Sequence, residues 1–222
     1  MKHIIAAVAA LFTLPVHAAC VPVTDGLPGW ERLDFDDITP NTWTVEDGAL
    51  VATANDSASM LYTRLPAGRG PILTWRWRVD QAVPATDLTR KGGDDRSISL
   101  TIGFAYDSAN ASMGERMRRV VVENVAGADA PGRVVDLVWG GMQPVGTRRE
   151  SPYSGRSGQV LIRRTANEPA GEWQAERVDL AALYSELWGS AMPPITQAAV
   201  FIDTDDTNTA GQARIADICF SN

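Results

Sequence analysis

The stretch VFIDTDDTNTAG, residues 200–211, runs from three apolar residues straight into Asp203, Asp205 and Asp206. Carboxylates this close shape a turn, hold a cation or act as an acid and base pair. Residues two apart on an extended strand point the same way, so Asp203 and Asp205 converge, while Asp206, Thr207 and Asn208 open a turn. The EF-hand spacing fails, because Thr207 takes the third ligand position and no glutamate closes the loop. Calcium at Asp203, Asp205 and Asp206 therefore stands as an expectation beside the plain turn. A second cluster, RKGGDDRS, sets Lys91, Gly92, Gly93, Asp94, Asp95 and Arg96 ahead of the strand-like SISLTIGF. It reads either as a hairpin loop with a local salt bridge or as the wall of a polar site.

What the chain lacks narrows the chemistry further. Residues 1–19 carry a charged start at Lys2, an apolar run from Ile4 to Val16 and small residues at Ala18 and Ala19, the signature of a cleaved secretory signal. His17 stands where a lipoprotein signal carries an aliphatic residue before Cys20, which favours ordinary cleavage. The apolar run is too short to span a bilayer. Both histidines, His3 and His17, lie in that leader, so residues 20–222 hold none. Without imidazole, Ser-His-Asp and Cys-His catalysis and the usual zinc, copper and haem sites are ruled out of the mature chain. What remains is oxygen chemistry, with calcium before magnesium as the expected cation. In residues 20–222, nineteen basic residues against twenty-seven acidic ones leave a formal charge of −8, which argues against nucleic acid as a partner. In an oxidising compartment Cys20 and Cys219 are expected to pair, closing almost the whole chain, with two separate thiols as the alternative.

The elements that must position these residues read mostly as short strands separated by turns. TWTVEDGALVATA, residues 42–54, is a hairpin around Asp47 and Gly48. In TWRWRVD, residues 74–80, alternation puts Trp75, Trp77 and Val79 on one face and Arg76, Arg78 and Asp80 on the other. That polar row is either solvated or the concave, ligand-binding face of a sandwich. Trp30, Trp43, Trp139, Trp173 and Trp188 lie near turns or strand ends and serve either as core or as platforms for a sugar ring. Two stretches carry helical spacing. In SMGERMRRVVVENVAG, Ser112 and Glu115 form a capping box, Met113, Met117, Val120, Val121 and Val125 make a stripe, and Gly127 closes the end; a strand over 119–125 stays open. In DLAALYSELWG, Asp179 caps, Leu180, Leu183, Tyr184 and Leu187 line one side, and Gly189 stops the helix.

In this order the motifs WRWRVD, GGDDRSISLTIGF, VVDLVWG, SPYSG, GEWQAERVDLAALYSELWG and AVFIDTDDTNTAGQARIADICF resemble a bacterial family of secreted proteins known as a domain of unknown function. The resemblance covers about residues 30–220 and implies a signal followed by one domain, with no activity attached. One departure is Leu137, where the family pattern has an aromatic. The hairpin and the closing acidic turn also look like those of jelly-roll, lectin-like sandwiches.

The expected fold is all-β: a single jelly-roll-type β-sandwich over residues 20–222 with one or two short helices. The expected role is noncatalytic binding of a glycan or other polar ligand of the bacterial envelope, periplasmic or secreted, through Arg76, Arg78, Asp95, Arg96, Trp139 and Asp205. The alternatives are a glycoside hydrolase or polysaccharide lyase using Asp94, Asp95, Asp203 or Asp205, with Tyr106 or Lys91 as a lyase base, and an assembly protein of the envelope. No cofactor other than calcium is expected.

Overall fold

The computed structural model describes residues 18–126 and 130–222. Most of the leader read from residues 1–19 therefore lies outside the described residues. In chain order the elements are β1 (Ala19–Cys20), β2 (Trp30–Asp34), β3 (Thr42–Glu46), β4 (Ala49–Asn55), β5 (Ala58–Arg64), β6 (Ile72–Gln81) and β7 (Arg96–Phe104). Then follow α1 (Met113–Ala126), β8 (Arg133–Trp139), β9 (Arg148–Ser151), β10 (Gly155–Arg164), β11 (Gln174–Asp179), α2 (Leu180–Trp188), β12 (Ile195–Asp203) and β13 (Ala210–Ser221).

Two sheets pack face to face as a jelly-roll-type β-sandwich. One runs β11-β6-β13-β4-β3 with β1 on the far half of β13; the other runs β2-β5-β12-β7-β8-β10-β9. The chain crosses repeatedly between them, from β4 to β5, β6 to β7 and β12 to β13, as jelly rolls do. The β8–β10 pair is parallel, and β9 turns back antiparallel along the outer edge of β10. Alternation explains the core: Trp75 and Trp77 from β6 meet Ile98, Leu100 and Ile102 from β7, Leu137 and Trp139 from β8 and Ile215 from β13. The expected hairpin joins β3 to β4, with both Asp47 (φ +50°) and Gly48 (φ +74°) left-handed, as a two-residue turn of this hand requires. Cys20 and Cys219 are disulfide-bonded, and β1 lies paired on β13 beside that bond.

The helices split the expectations. In α2 the Asp179 carboxylate accepts from Ala182 N at 3.0 Å, Gly189 (φ +70°) ends the helix, and Leu180, Leu183, Tyr184 and Trp188 are buried. In α1 the capping box forms in both directions, Ser112 N to Glu115 at 2.7 Å and Glu115 N to Ser112 Oγ at 3.2 Å. Its methionine stripe, however, faces outward: Met113 is 74 % and Met117 69 % exposed, and Val120 is exposed too. The cause is an ion pair. Glu115 and Arg119 turn inward instead, Glu115 accepting from Arg133 Nε at 2.7 Å while Arg133 donates to Tyr184 Oη at 3.0 Å. Burial opposes the ionised Glu115 carboxylate, but the Arg133 bond, the bonds from Ser112 and the Arg133 charge together outweigh it and hold the carboxyl down at about 2. The side chains of Val121 and Val125, and Gly127, lie outside the described residues.

Candidate functional site

The outer face of the seven-stranded sheet carries a cleft of about 480 Å³. Its floor is apolar: Met60 from β5, Phe201 from β12, Val160 from β10, and Phe35 and Ile38 from the loop after β2. Phe35 and Phe201 pack edge to face at 5.7 Å, and Val160, Val138, Ile162 and Leu88 make a small second core beneath the same face. Tyr153, in the turn after β9, stands at the mouth with its ring exposed and its hydroxyl on Asp94 at 2.8 Å. Burial of that hydroxyl, then the bond to Asp94, push it up to about 12.

The polar wall depends on a bulge. Opposite β12, Phe201 pairs with Ser99 but Asp203 pairs with Arg96, so β7 fits one extra residue. Strict alternation would send Arg96 to the core side with Ile98; the bulge turns it to the outer face, where bulges commonly re-aim a functional side chain. Gly140 makes room, since a Cβ there would lie 3.0 Å from Arg96 Cβ. Arg96 is buried, bonded through Nη2 to Asp94 at 2.5 Å and set 5.1 Å from the Phe201 ring centre. Asp136, donated to by Thr101, lies on the neighbouring strand, and burial pushes its carboxyl up.

At the end of the cleft the β12–β13 turn brings the two acidic clusters together. Asp203 and Asp205 converge, and burial, followed by the Asp205 carboxyl beside it, drives the Asp203 carboxyl far above the usual carboxylate range. Asp206 is also raised, first by burial and then by Asp205 beside it. Asp95 is fully buried, and its carboxylate accepts from Thr207 N at 2.8 Å, Thr207 Oγ1 at 2.5 Å and Asp206 N at 3.3 Å. One oxygen from each of Asp95, Asp205 and Asp206 lies within 4.8 Å of the other two. The trio whose oxygens lie this close thus contains Asp95, where the sequence pointed to Asp203.

A family model described as a protein of unknown function, DUF3047, matches residues 28–219. The chain belongs to that family. No curated protein matches this DUF3047 member. Among solved structures, a mutant family 29 carbohydrate-binding module aligns at 9 % identity over 94 % of this chain and 87 % of its own, with a TM-score of 0.42. Another mutant of that module, complexed with mannohexaose, aligns at 9 % identity over 94 % and 93 %, again at 0.42. Likeness at this level carries no weight for the ligand.

Of the expected ligand-binding residues of this DUF3047 chain, Arg96 and Asp205 share the cleft, and Asp94 and Asp203 line it with them. Four expectations need correction. Arg76 and Arg78 belong to the other sheet, on its outer face, because β6 joins the six-stranded sheet; Arg76 pairs there with Asp217 and Arg78 with Asp80. Trp139 is 1 % exposed and packs on Trp77 at 5.8 Å, so it is core and no sugar platform. Asp95 does not line the cleft; it lies behind the turn, where its oxygens accept from residues 206 and 207. The RKGGDDRS stretch is a crossover from one sheet to the other, though its local salt bridge, Asp94 to Arg96, is present. Lys91 sits over the Tyr153 ring at 5.3 Å, near the mouth. Tyr106 borders a separate hollow of about 120 Å³ beside α1. The floor residues Met60 and Phe201 and the mouth residue Tyr153 are apolar or aromatic in the sequence, which carries no sign that they share an outward face.

Proposed function

We propose that this protein is a noncatalytic binding domain for a glycan, held in the cleft on the outer face of the seven-stranded sheet. One observation carries the reading: an apolar floor with two aromatic rings, Phe35 and Phe201, meets a wall of carboxylates and one guanidinium within a single 480 Å³ cleft. A sugar ring has the matching halves, an apolar C–H face to lie on a ring and hydroxyls to bond carboxylates. The exposed Tyr153 at the mouth is the platform best placed to take a ring from solution. The leader-like start and the disulfide fit a periplasmic or secreted setting.

The hydrolase reading has one observation in its favour, the high-lying Asp203 carboxyl beside Asp205. Their closeness counts against it, since a glycosidase pair stands about 5–9.5 Å apart to flank the scissile bond. Binding is therefore the reading adopted. An array of soluble envelope polysaccharides, followed by calorimetry on the best binder, tests it. Tyr153→Ala should weaken affinity about tenfold with the circular dichroism unchanged. Absence of binding to any polysaccharide, or full affinity in Tyr153→Ala and Phe201→Ala alike, would reject the cleft as a sugar site.

A further inference from the structure

The β12–β13 turn concentrates carboxyl groups around a single guanidinium. Asp94, Asp95, Asp203, Asp205 and Asp206 gather around one buried guanidinium, Arg96, and that group is bonded to Asp94. Three of these acids already present oxygens within 4.8 Å of one another. Their acceptor capacity is not exhausted: Asp95 Oδ1 takes one long bond, at 3.3 Å, and Asp206 Oδ2 one at 3.4 Å, where a carboxylate oxygen has two lone pairs.

A second observation comes from outside that trio. Asp203 is 6 % exposed, yet its Oδ1 has no hydrogen-bond partner. The side chain lies against Asp205 and within electrostatic reach of Asp95. A buried acceptor without a partner is costly, and each one in a folded protein calls for a donor or an ion.

We propose that this turn binds a divalent metal ion, calcium in preference to magnesium, through Asp95, Asp205 and Asp206, with the free oxygen of Asp203 alongside. The donors are all hard oxygens, which suits these ions and not zinc or copper. They come from two separate connections, the crossover into β7 and the turn after β12, and a set of that kind tolerates the irregular six to eight oxygens of calcium better than the octahedron of magnesium. The ion would tie those two connections together at the end of the cleft. The inference is independent of what the cleft holds.

The test uses the full mature chain, stripped with chelator and melted with and without excess calcium chloride or magnesium chloride. At about a hundredfold over the dissociation constant, calcium should raise Tm by about 5–10 °C, and magnesium should raise it less. Asp205 is half-buried and Asp206 exposed, so Asp205→Asn and Asp206→Asn should fold normally by circular dichroism and lose most of the shift. Calorimetric titration with calcium chloride should give one site in the native chain. An unmoved Tm with no heat of binding would overturn the proposal. So would a full calcium shift in both variants, which would put the ion elsewhere. No arm contains sugar, so failure here leaves the glycan reading standing, and failure of the glycan array leaves this one standing.

Discussion

The two sheets of this sandwich both place charged residues on their outer faces, with opposite results. On the six-stranded sheet the charges are paired and wet: Arg76 with Asp217, Arg78 with Asp80, and Arg214 with both Asp80 and Glu46. Burial opposes the ionised form of Asp80, but the bonds from Arg78 and Arg214 outweigh it and hold that carboxyl below its ordinary value. On the seven-stranded sheet Arg96 and Asp94 have side chains only 8 % and 3 % exposed, and Asp136 and Asp203 beside them are pushed upward by burial. On the first face the charges are paired and partly solvated; in the cleft on the second they are dry and predominantly acidic. Charge alternation along a strand does not by itself mark a binding face. Burial with imbalance is what sets the cleft apart.

The sharpest way to break this contrast is to remove one arginine from each face. Arg96→Ala strands Asp94 in the protein and takes away the positive charge nearest Asp136 and Asp203, so urea unfolding at neutral pH should show a loss of about 3–5 kcal/mol. Arg76→Ala removes an exposed pair and should cost about 1 kcal/mol or less. Equal losses would erase the distinction between the faces.

A buried but balanced pair on the seven-stranded sheet supplies the next test. Glu115 and Arg133 are as enclosed as Asp94 and Arg96, yet each charge there is met. With its folded pKa at about 2 against an ordinary value of 4.5, Glu115 contributes stability above the unfolded pKa that is lost as pH falls toward the folded one. Between about pH 5 and pH 2 the native protein should lose about 3 kcal/mol more than a Glu115→Gln variant, whose side chain cannot titrate. Parallel pH profiles for the two proteins would show that this pair contributes nothing.

Much of the architecture was legible because it is written locally. The Asp47-Gly48 turn, the Asp179 and Gly189 caps and the Ser112–Glu115 box each depend on residues within four positions, and each forms as read. The pairing of the two acidic clusters was half legible: Asp203 and Asp205 converge because strands alternate, but the approach of Asp95 from more than a hundred residues away follows from the crossover between sheets. The face of Arg96 was hidden by a one-residue bulge, which inverts alternation where it occurs. The roll of α1 was hidden because its apolar stripe gave the stronger pattern, while the Glu115–Arg133 contact that turns it joins residues in different elements. Arg76 and Arg78 looked like a ligand row because a single strand reveals two faces but never which sheet it will join.

The smallest expected effect concerns the aromatic residue on the balanced face. Trp173, half-buried just before β11, lies under Arg76 at 4.7 Å and Arg78 at 5.6 Å from its ring centre. From composition it looks as good a sugar platform as Tyr153, but two guanidinium groups lie against its half-buried ring, whereas Tyr153 carries the single ammonium of Lys91 and stays exposed. Such stacking at a wet surface is worth about 0.5–1 kcal/mol, so Trp173→Ala should lower stability by about that much in urea. Its affinity for the best polysaccharide should match the parent protein, whereas Tyr153→Ala should not. If Trp173→Ala were the variant that lost binding, the ligand would belong on the six-stranded sheet, where arginines and an indole form the surface, and the acidic cleft would be left to the metal ion alone.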